Sequence, residues 1–268
     1  MNKNLFTKEL KRSRKNLIVW TSIVVGFTFM VLAIFPFMED MGKDMVELMD
    51  KMPPEIGKAF GMDSQTWSNI LGFYSTYYGV YIVVLISIYT ASTGANILSK
   101  EERERTAEFL MTKPVTRWEI FKTKMTTLFT LAMIIFVIQT VSAIIGLMLF
   151  GNDTFEWRIF TIMQLSGLVL MIFFTTCGVT LSMFLTPKKN FMGMVVGLTF
   201  GTYFLNAIAK STDQTTFLGY FSPFHYFDFT VFDPDYAFNF IGAAIFLIIS
   251  FGLLYLSYTT YVKKDISG

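Results

Sequence analysis

A short charged stretch, EERERTAEFLMTKPVTRWEIFKTK at positions 101–124, carries the residues best suited to chemistry or to binding. Four acids and two arginines fall within its first eight residues. Mixed charges at this density occur on solvated loops. They also form docking surfaces, where charge complementarity fixes the register of a partner. The rest of the sequence has to decide between these two interpretations.

Catalytic chemistry has few candidate residues elsewhere in the chain. His225 and Cys177 are the single histidine and the single cysteine, and they are far apart in sequence. No G-x-x-x-x-G-K-[ST] motif is present, so the sequence offers no loop to hold nucleotide phosphates. A serine nucleophile would need a base, and His225 lies among aromatic residues in SPFHYF, where packing explains it better than catalysis. We therefore expect no catalytic group and no metal site in this chain.

The composition indicates which elements position the charged stretch. Hydrophobic residues make up 53% of the chain and charged residues 16%, whereas soluble domains contain about 25% charged residues. A helix that crosses a membrane needs about 20 mostly apolar residues. Six segments meet this requirement: 17–38, 69–98, 124–150, 158–185, 191–209 and 239–262. We predict an all-α membrane protein with six transmembrane helices, forming one domain over residues 1–268.

The distribution of charge predicts the orientation of these helices. Of the 22 basic residues, 17 lie in segments 1–16, 99–124, 186–190 and 263–268, while 13 of the 20 acids lie in the alternate loops. Lysine and arginine are enriched in cytoplasmic loops of membrane proteins. We therefore predict that both chain termini and the stretch 99–124 are cytoplasmic.

Three segments outside the spans have patterns of their own. Residues 1–16 predict a basic amphipathic helix on the inner leaflet, or a basic tail that only sets the topology. Residues 39–68 have methionines at helical spacing and predict a short outer amphipathic helix. Residues 210–238 are aromatic and contain two prolines, which predicts broken or re-entrant helices at the outer interface or an aromatic anchor.

We call residues 99–124 the elbow, because its sequence predicts two short helices with a break. The first helix covers 102–111 and has to stop before Pro114, which cannot continue the hydrogen-bond ladder. The second helix begins after Thr116, which can form a capping box with Glu119. A rigid, charged element with an apolar edge is suited to insertion into a cleft of a cytoplasmic protein.

The elbow pattern E-x-E-R-T-x-E-x-L-x-x-x-P-x-x-R, between the second and third spans, resembles the ABC-2-type permease family. These proteins are membrane subunits of ATP-binding-cassette exporters. Arg105 stands where the family usually has a glycine before the threonine. The Ser222-Pro223-Phe224 sequence before the last span resembles a second hallmark of the family, and the resemblance extends over the whole chain.

The resemblance implies a half-transporter without its own ATPase. Its partners would be two ATP-hydrolysing subunits and a second permease, identical or homologous, in membrane lipid, with no nucleic acid. ATP and Mg would bind to the ATPase, so we expect no cofactor in this chain. The location would be a bacterial plasma membrane, which the chain crosses several times. The docking positions implied are Glu102, Glu104, Arg105, Thr106, Glu108, Phe109, Leu110, Pro114 and Arg117.

Two further patterns suggest how such a permease would work. Tyr74, Tyr77, Tyr78 and Tyr81 share one helical stripe, which with Asn206 predicts a pathway for amphipathic cargo, or else ordinary packing between helices. Gly193, Gly197 and Gly201 recur at a spacing of four residues, which permits close helix approach. We predict that this glycine face meets the partner permease or the second span.

Four function classes remain to be compared. An exporter permease for a peptide, a bacteriocin or a drug agrees best with the elbow and the aromatic spans. A membrane scaffold or sensor driven by an ATPase would need the same elbow. A membrane-embedded enzyme lacks a set of catalytic groups, and an ion-coupled carrier would need charged residues inside its spans.

Overall fold

The computed structural model describes residues 2–50, 69–103, 115–151, 155–184, 191–227, 229, 231 and 236–263, with the backbone alone for 39–50, 101–103 and 213. Within these ranges, six helices are long and apolar enough to cross a membrane, which confirms the prediction of six spans in a multi-pass membrane protein. They are α1 (Lys3–Asp50), α2 (Ile70–Tyr77, Tyr78–Ile82 and Val83–Arg103), α3 (Arg117–Phe150), α4 (Trp157–Phe184), α5 (Phe191–Ser211) and α6 (Phe240–Lys263).

Helix α1 is longer than the sequence predicts. Residues 3–16, expected as a separate interface helix, continue directly into the first span and on to Asp50. No proline or glycine occurs between positions 3 and 25, so nothing in the sequence interrupts the helix there. Its 48 residues span about 72 Å, whereas a bilayer with its headgroups is about 40–45 Å thick. The helix is therefore longer than a bilayer is thick, and contact of residues 3–16 with the inner leaflet stays a prediction.

Helix α2 is the central helix of the bundle. It packs most extensively on α4 and also contacts α3 and α5, while α1 packs on α3 and α6 on α4. The contact with α4 is close because a small residue faces it: a Cβ atom at Gly178 would lie 2.1 Å from the carbonyl oxygen of Ala91. Small residues at helix interfaces allow such approach in membranes. Because α2 is central, the described start of the elbow at its C-terminal end is attached to the core of the bundle.

The segment between α5 and α6 contains two short 3₁₀ helices, Asp213–Phe221 and Pro223–His225. The Ser222 hydroxyl donates a hydrogen bond of 2.7 Å to the carbonyl oxygen of Thr202. Thr202 lies nine residues before the end of α5, so the chain returns by about 14 Å along that helix. Phe224 is buried there. Broken helices that fold back on the bundle are thus present, and their depth in a membrane stays a prediction.

Both described ends of the chain lie at the same end of the bundle as the elbow. The backbone amide of Asn2 donates to the hydroxyl oxygen of Thr123 at 3.2 Å. The guanidinium of Arg117 donates to the carbonyl oxygen of Val262 at 2.7 Å. We call this the elbow end. The placement of the elbow end in the cytoplasm remains a prediction from the charge distribution.

Candidate functional site

Much of the elbow falls outside what the structure describes. The implied docking positions Glu104, Arg105, Thr106, Glu108, Phe109, Leu110 and Pro114 lie outside the described residues, and Glu102 is described by its helical backbone alone. The two ends of the elbow are described, and they show how it is attached to the bundle.

The second half of the elbow begins with the predicted capping box. The backbone amide of Glu119 donates to the Thr116 hydroxyl oxygen at 3.2 Å, and the amide of Thr116 donates to the Glu119 carboxylate at 3.1 Å. The two side chains satisfy two backbone donors that would otherwise have no partner at the start of α3. The prediction of a helix start at this threonine is confirmed, and it fixes the direction in which the elbow enters α3.

Arg117 holds the same turn against the last helix. Its guanidinium donates to the carbonyl oxygen of Val262, in the last turn of α6. Cations are favourable next to the carbonyl groups at a helix C-terminus. Arg117, implied as a docking residue, therefore also links the elbow to α6.

Lys124 is a second attachment point, which the sequence analysis did not identify. Its side chain is only 1% exposed, and its ammonium group donates to the carbonyl oxygen of Ile97 in α2. The spacing of Lys124 from the buried residues Ile120, Leu128 and Leu131 places it on the inward face of α3, and this spacing could have revealed it. The hydrogen bond joins the two helices that flank the elbow.

A polar pocket of about 300 Å³ lies next to this attachment, between α1 and α2. Glu9, Arg12 and Asn16 line it from α1, and Asn96 and Lys100 line it from α2. Glu9 is buried, although the sequence predicts a basic helix on the inner leaflet or a basic tail over these residues. Because Lys100 belongs to the elbow, a movement of the elbow relative to α1 would change the shape of this pocket.

The tyrosine stripe of α2 divides into two pairs. Tyr74 and Tyr78 are buried, whereas Tyr77 is half-buried and Tyr81 is 46% exposed. The rings of Tyr77 and Tyr81 stack with centroids 6.0 Å apart. Only this second pair is open to the outside of the chain, and a pathway lined by all four tyrosines stays a prediction.

The buried pair belongs to what we call the polar network, formed by Tyr74, Tyr78, Gln139, Thr140 and Gln164. The Gln139 amide donates to the Tyr74 hydroxyl at 2.7 Å, and the Tyr78 hydroxyl donates to the Gln164 carbonyl oxygen at 2.9 Å. The network joins α2, α3 and α4 and pairs both tyrosine hydroxyls, while the Gln139 side-chain oxygen and the Gln164 side-chain nitrogen have no hydrogen-bond partner among the described residues. For these two tyrosines, packing between helices, the alternative to a pathway, is the interpretation that the contacts favour.

The geometry of α2 explains the division of the stripe. From Tyr78 to Ile82 the helix is a π-helix, in which each turn holds an extra residue. A helical wheel drawn for an α-helix therefore fails from this point onward. Phe229 of the segment before α6 lies against the π-helix, because a Cβ atom at Gly79 would be 2.7 Å from its ring. Sequence reasoning missed this contact between α2 and the folded-back segment.

Helix α5 presents its glycines away from the chain. A Cβ atom at Gly193, Gly197 or Gly201 would have no atom of another described element within 4 Å. Asn206 is buried, and its side-chain oxygen has no hydrogen-bond partner among the described residues. Of the two predicted neighbours of the glycine face, the second span does not contact these glycines among the described residues of one chain. Contact with a partner permease stays a prediction.

Comparison with known proteins tests the family resemblance. A search of curated proteins and a search of solved structures gave no match. A family model described as ABC-2 family transporter protein matches residues 3–266, which include all six helices and the elbow. The resemblance drawn from the elbow motif is confirmed by this match. The chain belongs to the ABC-2 family of transporter proteins.

Proposed function

We propose that this chain is the permease subunit of an ABC exporter in a bacterial plasma membrane. Two permeases, identical or homologous, form the translocation pathway, and two separate ATPase subunits bind and hydrolyse ATP with Mg. The observation that carries the proposal is the family match over residues 3–266. The elbow motif falls within this match, between α2 and α3, where it would meet the ATPase.

The attachment of the elbow supports a role in coupling. Lys124 links α3 to α2, and Arg117 links α3 to α6. A displacement of the elbow by a closing ATPase dimer would reach three helices through these contacts. Because α2 is the central helix, the displacement would change the shape of the bundle rather than of one surface loop.

The cargo that we propose is amphipathic or hydrophobic, such as a peptide, a bacteriocin or a drug. Tyr81 is the most exposed of the four tyrosines, and together with Tyr77 it offers apolar rings and hydroxyl groups. We place cargo contact at these two residues and not at Tyr74 and Tyr78, whose hydroxyls are engaged in the polar network.

Purification of the tagged chain from its native membrane tests the docking role of the elbow. We expect an ATPase subunit to co-purify, and the change Leu110→Asp to abolish the interaction because it places a charge on the apolar edge of the elbow. Asn4→Asp adds the same charge at an exposed position of the elbow end and should leave recovery unchanged. Absence of an ATPase from both wild type and Asn4→Asp would contradict the proposal.

A reconstituted complex separates export from a scaffold or sensor role. An exporter should show ATP hydrolysis stimulated by its cargo and accumulation of cargo in inverted vesicles. Tyr81→Ala should weaken the stimulation, while Tyr81→Phe should retain most of it. ATP hydrolysis without movement of any tested peptide or drug would instead favour the scaffold or sensor.

A further inference from the structure

An apolar groove of about 850 Å³ runs along the outside of the bundle between α3 and α6. Its wall on α3 extends from Trp118 to Ile138, and Leu254 contributes from α6. Two threonines in the wall, Thr126 and Thr130, donate their hydroxyl hydrogens to carbonyl oxygens of their own helix at 2.9 and 2.7 Å. The groove is therefore apolar along its length and requires no polar partner there.

The groove has a basic and aromatic rim at the elbow end. Lys122 lines it and is exposed. Trp118 is 49% exposed, and its ring packs edge-on against Tyr258 of α6 with centroids 4.8 Å apart. Tryptophan and tyrosine are enriched at the level of lipid headgroups, and lysine extends its ammonium toward the same layer. This composition favours a position of the rim in the headgroup layer, with the rest of the groove in the hydrocarbon.

The full wall from Trp118 to Ile138 measures about 30 Å along α3. Its part beyond Lys122, the basic residue of the rim, corresponds to one leaflet. From Lys122 to Ile138 there are 16 residues along α3, or about 24 Å at the rise of an α-helix. Half of a bilayer with its headgroups measures about 20–22 Å. A ligand that fills the groove would thus have a polar end at the rim and a hydrocarbon part that reaches the middle of the membrane.

The charges of the rim indicate which headgroup it selects. Lys122 is basic, and no acidic residue is found among the described residues that line the groove. A zwitterionic headgroup carries an ammonium group, and the groove offers no carboxylate to pair with it. An anionic headgroup needs only a cation, which Lys122 supplies. We propose that the groove binds one anionic phospholipid from the leaflet at the elbow end, with its phosphate on Lys122 and an acyl chain along α3.

Quenching of Trp118 fluorescence by brominated lipid tests the site directly. The variant Trp20→Phe, Trp67→Phe, Trp157→Phe leaves Trp118 as the single tryptophan. In nanodiscs with a small fraction of brominated lipid, we expect brominated phosphatidylglycerol to quench Trp118 more strongly than brominated phosphatidylcholine. Lys122→Ala should reduce the preference about fivefold, since one basic residue near a membrane surface contributes roughly that factor.

Two controls separate a site from the general attraction of anionic lipid to a basic surface. Lys11→Ala removes an equal charge from an exposed position of α1 and should leave the preference unchanged. Thr130→Phe fills the groove without changing any charge and should lower the preference, while Thr130→Ser should not. Equal quenching by the two lipids, or a preference that Thr130→Phe leaves intact, would overturn the proposal.

Native mass spectrometry provides a test that retains all the tryptophans. The otherwise unchanged full-length chain, titrated with phosphatidylglycerol, should lose its tightest binding event in Lys122→Ala and keep it in Lys11→Ala. Equal losses in the two variants would show that only the general charge of the surface attracts the lipid, and the proposal would fail.

Discussion

At the scale of single residues, the polar network is the feature whose energy can be measured most directly. Gln164 accepts hydrogen bonds from the hydroxyls of both Tyr78 and Thr140, at 2.9 and 3.3 Å. Gly167 permits this arrangement, because a Cβ atom there would lie 2.2 Å from the Tyr78 hydroxyl. The network needs one small residue and several polar residues together. The effects of substituting its members on stability should therefore not be additive.

A double-mutant cycle measures the coupling between two of these residues. Gln164→Leu should destabilise the protein because it leaves the buried Tyr78 hydroxyl without its acceptor. Tyr78→Phe removes the donor as well, so the double variant should be less destabilised than the sum of the single changes. The expected coupling is about 1 kcal/mol, the scale measured for hydrogen bonds between membrane helices. Unfolding in mixed detergent micelles measures it, and strictly additive effects would contradict the assigned hydrogen bond.

Individual residues also show where the sequence alone did not predict the structure of the candidate site. The four tyrosines have the spacing of one stripe only if α2 is an α-helix throughout, and the π-helix from Tyr78 to Ile82 breaks that assumption. A π-helix has no simple sequence signal, because it forms when packing favours an extra residue in a turn. Lys124 was read as part of a basic cytoplasmic segment, although its position among buried apolar residues was visible.

At the scale of elements, the capping box should determine how firmly the elbow enters α3. Thr116→Ala removes the side-chain acceptor and should cost about 1 kcal/mol locally. Amide hydrogens in the first turn of α3 should then exchange about fivefold faster, measured by hydrogen–deuterium exchange mass spectrometry. Thr161→Ala, which removes an exposed hydroxyl bonded within α4, is the matched control and should not alter exchange in α3.

The contact between α2 and the folded-back segment makes a second prediction at this scale. Gly79→Ala would place a methyl group 2.7 Å from the Phe229 ring, so one of the two elements has to move. We expect a loss of about 1–3 kcal/mol and faster proteolysis within residues 210–238. Gly26→Ala is the control, since a methyl group there meets no atom within 4 Å.

A compensating change tests whether Phe229 is the cause. Phe229→Ala alone should also weaken the contact, because it removes the ring that packs on α2. Combined with Gly79→Ala, it should give a smaller loss than the sum of the single changes, since the added methyl group then has space. If Gly79→Ala behaves like Gly26→Ala, the segment does not pack on the π-helix.

At the scale of the whole molecule, the six spans were predictable and their arrangement was not. An apolar run of about 20 residues is required by the thickness of the membrane, so the sequence records each span directly. The central position of α2 depends on close approach at residues such as Gly178, which a hydrophobicity pattern does not report. The uninterrupted α1 was missed because a change in composition at residue 16 was taken for a boundary between elements.

Assembly of two permeases is the prediction that concerns the molecule as a whole. Gly197 is exposed on a face of α5 where an added Cβ atom would meet no atom of another described element within 4 Å. Gly197→Leu should therefore leave the fold intact and yet prevent close approach of a second permease. We expect an unchanged melting temperature of the monomer and at least a tenfold loss of dimer, measured by size-exclusion chromatography with light scattering in mild detergent.

The control for this prediction is the same substitution on a different helix. Gly252 in α6 is also exposed, and a Cβ atom there would likewise meet nothing within 4 Å. If any bulky residue on the lipid-facing surface of the bundle disturbed assembly, Gly252→Leu would reduce the amount of dimer as much as Gly197→Leu does. A loss confined to Gly197→Leu assigns the interface to α5, because the two variants differ only in the helix that carries the leucine. Full dimer recovery with Gly197→Leu would move the interface to another helix, and the open face of α5 would then contact lipid alone.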